Sequence, residues 1–278
     1  MQQIISTQIP LSSNGIFNNH KHYPPLHIII PAYNESRSII SVIRRIESSL
    51  MLYPYQFRIT VIDDGSSDST YEILQNSNLN ISLKKNHQNL GKGKTMRRGI
   101  LQSKKEEIVV MIDGDGEHIP EDISRLIDPI LTGKADCVIG SRFLPRNSSI
   151  TLSGSYLKNQ KKHSYFRKAG NNLISFLIYT FFRRWITDSQ CGFRAFAPDI
   201  AKLYKPTYSG FEIETEMTLF YILNNFKIVE IPIDTGLNTR ESHMNILKDS
   251  MKILFVILSL RFKKFDNVYQ KIRTKILK

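Results

Sequence analysis

The order of short apolar runs and helical patterns in the first half of the chain constrains its fold more than any other feature. The apolar runs have the length and β-branched content of buried strands, and they are His27–Ile30, Phe57–Ile62, Asn80–Leu83, Glu107–Ile112 and Ala135–Gly140. The segments between them have the apolar spacing and capping residues of helices, and they are Glu35–Leu50, Ser66–Gln75, Gly91–Ser103 and Pro120–Leu131. Strands that alternate with helices form a mostly parallel sheet with helices on both faces. The sequence therefore predicts a three-layer α/β fold.

Polar clusters follow three of the predicted strands directly. They are Tyr33-Asn34-Glu35, Asp63-Asp64 and Asp113-Gly114-Asp115, and they lie 30 to 50 residues apart in the sequence. In sheets of this kind, ligands bind beyond the carboxyl ends of the strands. We therefore predict that the three clusters meet at one rim of the sheet and form the functional site.

The third cluster indicates a divalent-cation site. Asp113 and Asp115 flank a glycine, and two carboxylates that close repel each other unless a cation lies between them. Mg²⁺ and Mn²⁺ are bound by oxygen ligands, often one or two carboxylates together with substrate phosphates. Glu117 and His118 follow within reach, so the predicted metal ligands are Asp113, Asp115 and Glu117. The alternative is an ordinary Asp-Gly turn.

Two further loops have a possible ligand role. Asp63-Asp64-Gly65-Ser66 is typical of a loop that holds a ribose or a base edge through carboxylate hydrogen bonds, while Asp68 and Ser69 cap the following helix. Gly91-Lys92-Gly93-Lys94 is superficially similar to a phosphate loop. It lacks the spacing of the G-x-x-x-x-G-K-[ST] motif, so we predict no P-loop there.

The net charge of +13 is concentrated in two segments. Nine Lys/Arg and no carboxylate lie between Cys137 and Thr187, and nine Lys/Arg against two carboxylates lie in Lys248–Lys278. Their apolar stretches, Leu173–Phe182 and Ile253–Leu260, are shorter than the about 18–20 residues that a membrane-spanning helix needs. Apolar stretches with basic flanks are typical of helices in an anionic membrane interface, and the sequence has no nucleic-acid-binding motif. We predict contact with a membrane surface and no nucleic-acid partner.

Both segments have a second interpretation. Leu173–Trp185 is apolar on nearly every helical face, which is also typical of a core helix. The basic C-terminal segment is predicted to form an amphipathic helix on the membrane surface, but a membrane-embedded partner subunit is an alternative binding partner for it.

The chain is expected to have three parts. Residues 1–25 are rich in Asn, Ser, Gln and His and lack the apolar run of a signal peptide, so we expect a flexible extension. Residues 26–245 are predicted to form one domain, followed by the basic amphipathic segment 246–278. Two cysteines, Cys137 and Cys191, are too few for a disulfide framework and indicate reduced thiols on the cytosolic side.

Six motifs, in this order, resemble those of family 2 glycosyltransferases. They are PAYNES (Pro31–Ser36), VIDDGSSDST (Val61–Thr70), NLGKG (Asn89–Gly93), DGDGEH (Asp113–His118), GSRF (Gly140–Phe143) and DSQCGFRAF (Asp188–Phe196). The resemblance covers about residues 26–245 and is strongest to the dolichyl- and polyprenyl-phosphate sugar synthases. It implies a Rossmann-like GT-A fold, a nucleotide-sugar donor, a Mg²⁺ or Mn²⁺ cofactor and inversion at the anomeric carbon.

The resemblance also implies roles for individual residues. The nucleotide sugar would be bound by Pro31, Tyr33, Glu35, Asp64, Asp113, Gly114 and Arg240, and the catalytic set would be Asp115, Asp188 and Arg142. The lipid phosphate would be bound by Arg142, His163 and Arg167, while Glu214 and Glu216 match an acidic segment near the sugar. The chain departs from the family at Glu117, where Gln or Ser is usual, and at His163 and Arg167, where the synthases carry Arg and Ser.

The function expected from this set is sugar transfer to a polyprenyl or dolichyl phosphate by a peripheral protein at the cytosolic face of a membrane. A phosphate monoester is largely ionised at about pH 7 and needs no enzymatic base, whereas a sugar hydroxyl does. GDP-mannose, UDP-glucose and UDP-GlcNAc all remain candidate donors. The alternatives are transfer to a sugar hydroxyl, with Asp188 as the base, and a non-catalytic module that binds nucleotide sugar or membrane.

Overall fold

The computed structural model describes residues 23–145, 165–210, 212–236 and 246–262, without the side chains of 165–167, 246–249 and 262. Its strands are β1 (Leu26–Ala32), β2 (Phe57–Asp63), β3 (Ile81–Lys85), β4 (Ile108–Met111), β5 (Cys137–Ser141), β6 (Arg194–Phe196) and β7 (Ile228–Pro232). Its α-helices are α1 (Ile39–Leu50), α2 (Thr70–Gln75), α3 (Lys92–Ile100), α4 (Ile123–Leu131), α5 (Tyr165–Phe182), α6 (Ile200–Leu203), α7 (Ile213–Leu223) and α8 (Ile246–Phe262).

The strands form one mostly parallel sheet in the order β3-β2-β1-β4-β6-β5-β7. Every residue of β4 and β5 is buried, because helices cover the central strands on both faces. This architecture confirms the predicted α/β fold with a mostly parallel central sheet. All five strands predicted from the sequence are present, and their bounds differ from the predicted ones by at most two residues.

Strand β6 is the exception to the parallel order, and it determines the composition of the rim. It runs antiparallel to both β4 and β5, with Arg194 opposite Met111 on one side and Ile139 on the other. Because of this reversal, the amino end of β6 lies beside the carboxyl ends of its two neighbours. The loop of residues 188–193 therefore reaches the same rim as the loops that follow β1, β2 and β4.

The first two rim loops are joined to each other, and this shortens the predicted helices. Asn34 has a φ of 57°, in the left-handed region that asparagine tolerates. Its side-chain oxygen accepts hydrogen bonds from the backbone N–H of Ser67 (2.8 Å) and Asp68 (3.3 Å). We predicted that helices begin at Glu35 and Ser66, but these residues belong to the joined loops, and α1 and α2 begin at Ile39 and Thr70.

Helices α5, α7 and α8 form a second apolar cluster beside the sheet. Ile178, Leu219, Val256 and Ile257 are fully buried in it. The first 17 residues of the predicted C-terminal segment are therefore helix α8, which packs against the domain rather than lying apart from it. Among the residues described, no helix combines the length and the apolar content that crossing a bilayer requires.

Helix α5 agrees partly with each interpretation of its sequence. Asn171, Ile174 and Ile178 lie on its buried side, as expected of a core helix. Leu173 and Phe176 lie on the other side and are more than half exposed, at 60% and 56%. The helix therefore has one buried apolar side and one exposed apolar side.

Candidate active site

Three of the predicted nucleotide-binding residues lie together at the rim, namely Tyr33, Glu35 and Gly114. Tyr33 is exposed just beyond the end of β1. Ser38 links Glu35 to the third cluster, because its hydroxyl donates to the carbonyl oxygen of Gly114 (2.8 Å) and to Oε2 of Glu35 (3.4 Å). Pro31 lies within β1, opposite Ile62 of β2. The predicted meeting of the first and third clusters is therefore confirmed.

Asp64 is buried and is used to hold a neighbouring loop. Its Oδ1 accepts from Asn86 Nδ2 (2.7 Å) and the Leu90 N–H (2.9 Å), and its Oδ2 accepts from the Gly91 N–H (2.9 Å). Gly91 has a φ of 86°, a conformation that favours glycine. Both oxygens of Asp64 thus shape the turn from which α3 begins.

Lys92, the first residue of α3, reaches the centre of the rim. Its Nζ lies 2.8 Å from Oδ1 of Asp113 and 2.6 Å from Oε1 of Glu214. Burial acts to lower the pKa of Lys92, but the two carboxylates outweigh it and hold the pKa well above its usual range. This role of Lys92 was not predicted from the sequence, because the glycine-rich turn around it lacks the spacing of a known phosphate-binding motif.

The two aspartates of the Asp-Gly-Asp loop have opposite environments. Burial acts to raise the pKa of Asp113, but Lys92 and the nearby His118, whose Nε2 lies 3.7 Å from Oδ2, hold it well below its usual range. The pKa of Asp115 is raised by its own burial and by the charge of Asp113. Oδ1 of Asp115 accepts from the backbone N–H of Glu117 (2.9 Å), and a further positive charge nearby would stabilise its ionised form.

Two carboxylates of this kind fit a divalent cation. Glu214 lies at the same rim, and its buried Oε2 has no hydrogen-bond partner among the described residues. In the part of the chain that the structure describes, no three His, Cys, Asp or Glu side chains are gathered as a complete metal site. Asp113 and Asp115 therefore fit a cation of the Mg²⁺ or Mn²⁺ type, which takes its remaining ligands from water and substrate phosphates.

Glu117, the third predicted ligand, contacts Arg142 through one of its carboxylate oxygens. Its Oε1 accepts from Nη1 of Arg142 at 3.1 Å. Burial acts to raise the pKa of Glu117, but Arg142 outweighs it and lowers the pKa. The spacing along the chain brought Glu117 near the two aspartates, but it did not reveal which way the side chain points.

Arg142 is held by a buried carboxylate on its other side. Nε and Nη2 of Arg142 donate to Oδ2 (2.8 Å) and Oδ1 (3.0 Å) of Asp188, which is fully buried. Glu230 fixes this aspartate in turn, because it accepts from the backbone N–H groups of Thr187 (2.8 Å) and Asp188 (2.9 Å). The structure therefore brings two of the predicted catalytic residues together as a two-pronged ion pair.

Gly192 lies directly against the cluster of Asp113 and Lys92. A Cβ atom on this residue would overlap Oδ2 of Asp113 and lie 3.1 Å from Nζ of Lys92. The surrounding loop is fixed by Arg194, which is fully buried and donates to the carbonyl oxygens of Ser189 (2.7 Å) and Cys191 (2.8 Å). The absence of a side chain at residue 192 lets this loop approach the ion pair.

The two glutamates predicted near the sugar differ in role. Glu214 faces Lys92, as described above. Glu216 accepts from the hydroxyl of Tyr204 (2.7 Å) and the backbone N–H of Thr207 (3.0 Å), so it holds the loop before α7. His163 and Arg240 lie outside the described residues, as does the side chain of Arg167.

The strand order, the reversed β6 and the Asp-Gly-Asp loop after β4 define a glycosyltransferase of the GT-A type. Residues 27–189 match the family model described as Glycosyl transferase family 2. The chain therefore belongs to family 2 of the glycosyltransferases, as its motifs predicted.

Two curated relatives cover most of the chain. The UDP-N-acetylglucosamine–dolichyl-phosphate N-acetylglucosaminyltransferase of Methanococcus voltae is 30% identical in a 232-residue alignment that covers 76% of this chain and 85% of the relative. The dolichyl-phosphate beta-glucosyltransferase of Dictyostelium discoideum is 28% identical in a 251-residue alignment that covers 83% of this chain and 74% of the relative. The chain is thus related to transferases named for dolichyl phosphate.

A solved structure confirms the fold. Glucosyl-3-phosphoglycerate synthase from Mycobacterium tuberculosis, crystallised with Mn²⁺, uridine diphosphate and glucosyl-3-phosphoglycerate, matches with a TM-score of 0.62. The match covers 85% of this chain and 80% of that chain at 18% identity.

Proposed function

We propose that this enzyme transfers a sugar, with inversion, from a nucleotide-sugar donor to a polyprenyl or dolichyl phosphate at the cytoplasmic face of a membrane. The observation that carries the acceptor assignment is the ion pair of Arg142 and Asp188. Both oxygens of Asp188 accept from Arg142, so Asp188 cannot turn to a sugar hydroxyl without giving up part of this ion pair. An acceptor phosphate needs no general base, whereas a sugar hydroxyl does.

On the donor side, Asp113 and Asp115 are the proposed ligands of Mg²⁺ or Mn²⁺. A cation bound there would offset the charge of the departing nucleoside diphosphate. Tyr33 and Glu35, with Pro31 and Gly114, are proposed to line the nucleotide, an assignment that their position at the rim supports. Asp64 contributes by shaping the turn before α3, and Arg240 is proposed to contact the diphosphate.

On the acceptor side, Arg142 is the proposed ligand of the lipid phosphate, together with His163 and Arg167. Asp188 and Glu117 orient the guanidinium of Arg142 from two sides. Burial acts to lower the pKa of Arg142, but Asp188 outweighs it and raises the pKa well above its usual range. The arginine is therefore a permanent cation, suited to align an anionic nucleophile.

The donor is proposed to be a nucleotide sugar of the UDP-GlcNAc, UDP-glucose or GDP-mannose type, and the first of these is the donor named for the Methanococcus voltae relative. The purified protein is incubated with Mg²⁺ or Mn²⁺, polyprenyl phosphate and each labelled donor, and the mixture is extracted with organic solvent. We expect label in the organic phase with one donor, and none when the lipid lacks its phosphate. Label that stays in the aqueous phase with every donor would contradict the lipid acceptor.

A membrane-contact face is proposed on helices α5 and α8 and on the residues that directly follow α5. It comprises the exposed apolar side chains Leu173, Phe176, Tyr179, Trp185, Met251 and Phe255. The exposed Arg183 and Arg184 lie next to them in the sequence, and basic residues beside an apolar face favour an anionic bilayer. Asn171 joins α5 to the acceptor side, since its Nδ2 donates to the carbonyl oxygen of Thr187.

Phe176→Glu is expected to reduce binding to anionic vesicles by about tenfold, because it removes an inserted ring and adds a charge that the lipid repels. Cosedimentation with vesicles that contain phosphatidylserine measures the effect. Leu52→Glu is the matched control, since Leu52 is 82% exposed near the end of α1, outside the proposed face. Equal loss of binding in both variants would contradict the assignment of this face.

A further inference from the structure

We propose that Lys92 is an internal counter-ion of Asp113 that competes with the divalent cation, so that the cation binds tightly only together with a nucleoside diphosphate. This inference rests on the cation site of the proposed function. It concerns how the site is loaded, and it can be tested without any transfer reaction.

Lys92 occupies the carboxylate of Asp113 that the cation would use. Nζ of Lys92 lies 2.8 Å from Oδ1 and 3.0 Å from Oδ2 of Asp113, so it uses both oxygens of this carboxylate. A divalent cation of the Mg²⁺ type binds carboxylate oxygens at about 2.0–2.1 Å. An ammonium group and such a cation on one carboxylate would be close enough to repel each other strongly. Lys92 therefore has to leave Asp113 when the cation takes it.

Glu214 can keep the displaced lysine. Its Oε1 already lies 2.6 Å from Nζ of Lys92, and its Oε2 is buried without a hydrogen-bond partner. Glu214 is fixed at the start of α7, whose backbone is held by Arg194 through the carbonyl oxygen of Glu214 (3.1 Å). Lys92 thus has a second anionic partner within reach.

The charges at the rim determine when the cation can bind. Asp113, Asp115 and Glu214 bring three carboxylates to the rim, and Lys92 supplies one fixed positive charge among them. A divalent cation added alone has to overcome the repulsion of Lys92. A nucleoside diphosphate adds negative charge that attracts both Lys92 and the cation, so it removes this repulsion. Binding of the cation and of the diphosphate is therefore coupled, and the coupling is reciprocal.

Mn²⁺ binding by electron paramagnetic resonance, with and without UDP, tests the proposal. The wild type is expected to bind Mn²⁺ weakly alone and between about 5- and 150-fold more tightly with UDP. Lys92→Met is expected to bind Mn²⁺ alone at least about fivefold more tightly than the wild type and to gain less from UDP. Lys92→Arg keeps the charge and is expected to bind Mn²⁺ alone as weakly as the wild type.

Lys94→Met is the matched control, because Lys94 is an exposed lysine on the same turn of α3. It is expected to leave Mn²⁺ binding unchanged. Two results would overturn the proposal: Lys92→Met binding Mn²⁺ alone no more tightly than Lys94→Met, or the wild type binding Mn²⁺ equally well with and without nucleotide when both UDP and GDP are tried. The second needs no variant to fold. Neither result would affect the proposed transfer to a lipid phosphate, which the extraction assay tests separately.

Discussion

Asp115→Asn is expected to lower sugar transfer by about 100- to 1000-fold while leaving the fold at least as stable. The loss follows because one of the two carboxylates proposed to hold the cation loses its charge. The stability follows from the environment of Asp115, whose pKa is raised by burial and by the charge of Asp113. Transfer by the extraction assay and thermal unfolding in EDTA measure the two effects.

The pH dependence of stability shows why Asp115→Asn should raise, and not lower, the free energy of unfolding. A carboxyl group whose pKa is higher in the folded state than in the unfolded state binds its proton more tightly when folded. The free energy of unfolding then falls as the pH rises from the unfolded pKa through the folded pKa, and the full cost is present above the folded pKa. Asparagine removes this cost, so the midpoint of unfolding should rise at neutral pH and change little in acid.

The matched control is Asp199→Asn, which alters an exposed aspartate paired with Lys202 at 3.4 Å. It is expected to keep full transfer. Asp115→Asn that keeps transfer would contradict the role of Asp115 at the cation, and a wild type without any transfer would favour a module that only binds its ligands.

Asp188→Asn is expected to lower the free energy of unfolding by about 3 kcal/mol, because it removes the charge of the carboxylate that holds the largely buried guanidinium of Arg142 through two hydrogen bonds. Transfer is expected to fall by about 100-fold, since a misplaced Arg142 no longer aligns the acceptor phosphate. Residual transfer should remain measurable. If no residual transfer is found in an assay that can detect about 10⁻⁴ of wild-type activity, the result would favour Asp188 as a general base.

A second pair of measurements separates positioning from stability. Replacing both partners together, Arg142→Met with Asp188→Leu, removes the buried charges and should recover most of the lost stability. It should not recover transfer, because the cation that aligns the acceptor is absent. In the wild type, transfer should increase with pH as the acceptor phosphate ionises, around its second pKa of about 6.

Much of the fold was predictable because, in the first half of the chain, the residues that identify each strand or helix lie within that element itself. Each strand and helix there carries its own pattern, so β1 to β5 and α1 to α4 follow from apolar runs and helical spacing, although no N-cap of these four helices has a side-chain hydrogen bond. Strands β6 and β7 and helix α7 were not predicted. Strand β6 has only three residues, and α7 is buried at nine positions, so it shows no polar face that would reveal a helical period.

The site was predictable to the extent that topology decides it. The rule that ligands bind beyond the carboxyl ends of strands brought Glu35, Asp64 and Asp113 to one rim, where they lie. Side-chain direction was not predictable, because spacing does not determine it. Thus Glu117 contacts Arg142, and Lys92 reaches Asp113 only because α3 begins at the rim.

Gly192 limits the ways in which this enzyme can diverge. Any larger residue there would meet Oδ2 of Asp113, so one of the two has to shift, and substitutions in the middle of this loop are expected to disturb the proposed cation site. New donor or acceptor preferences are therefore more accessible from substitutions at the edge of the rim, for example at Tyr33, which is exposed. The close contact at Gly192 thereby sets which evolutionary routes stay open.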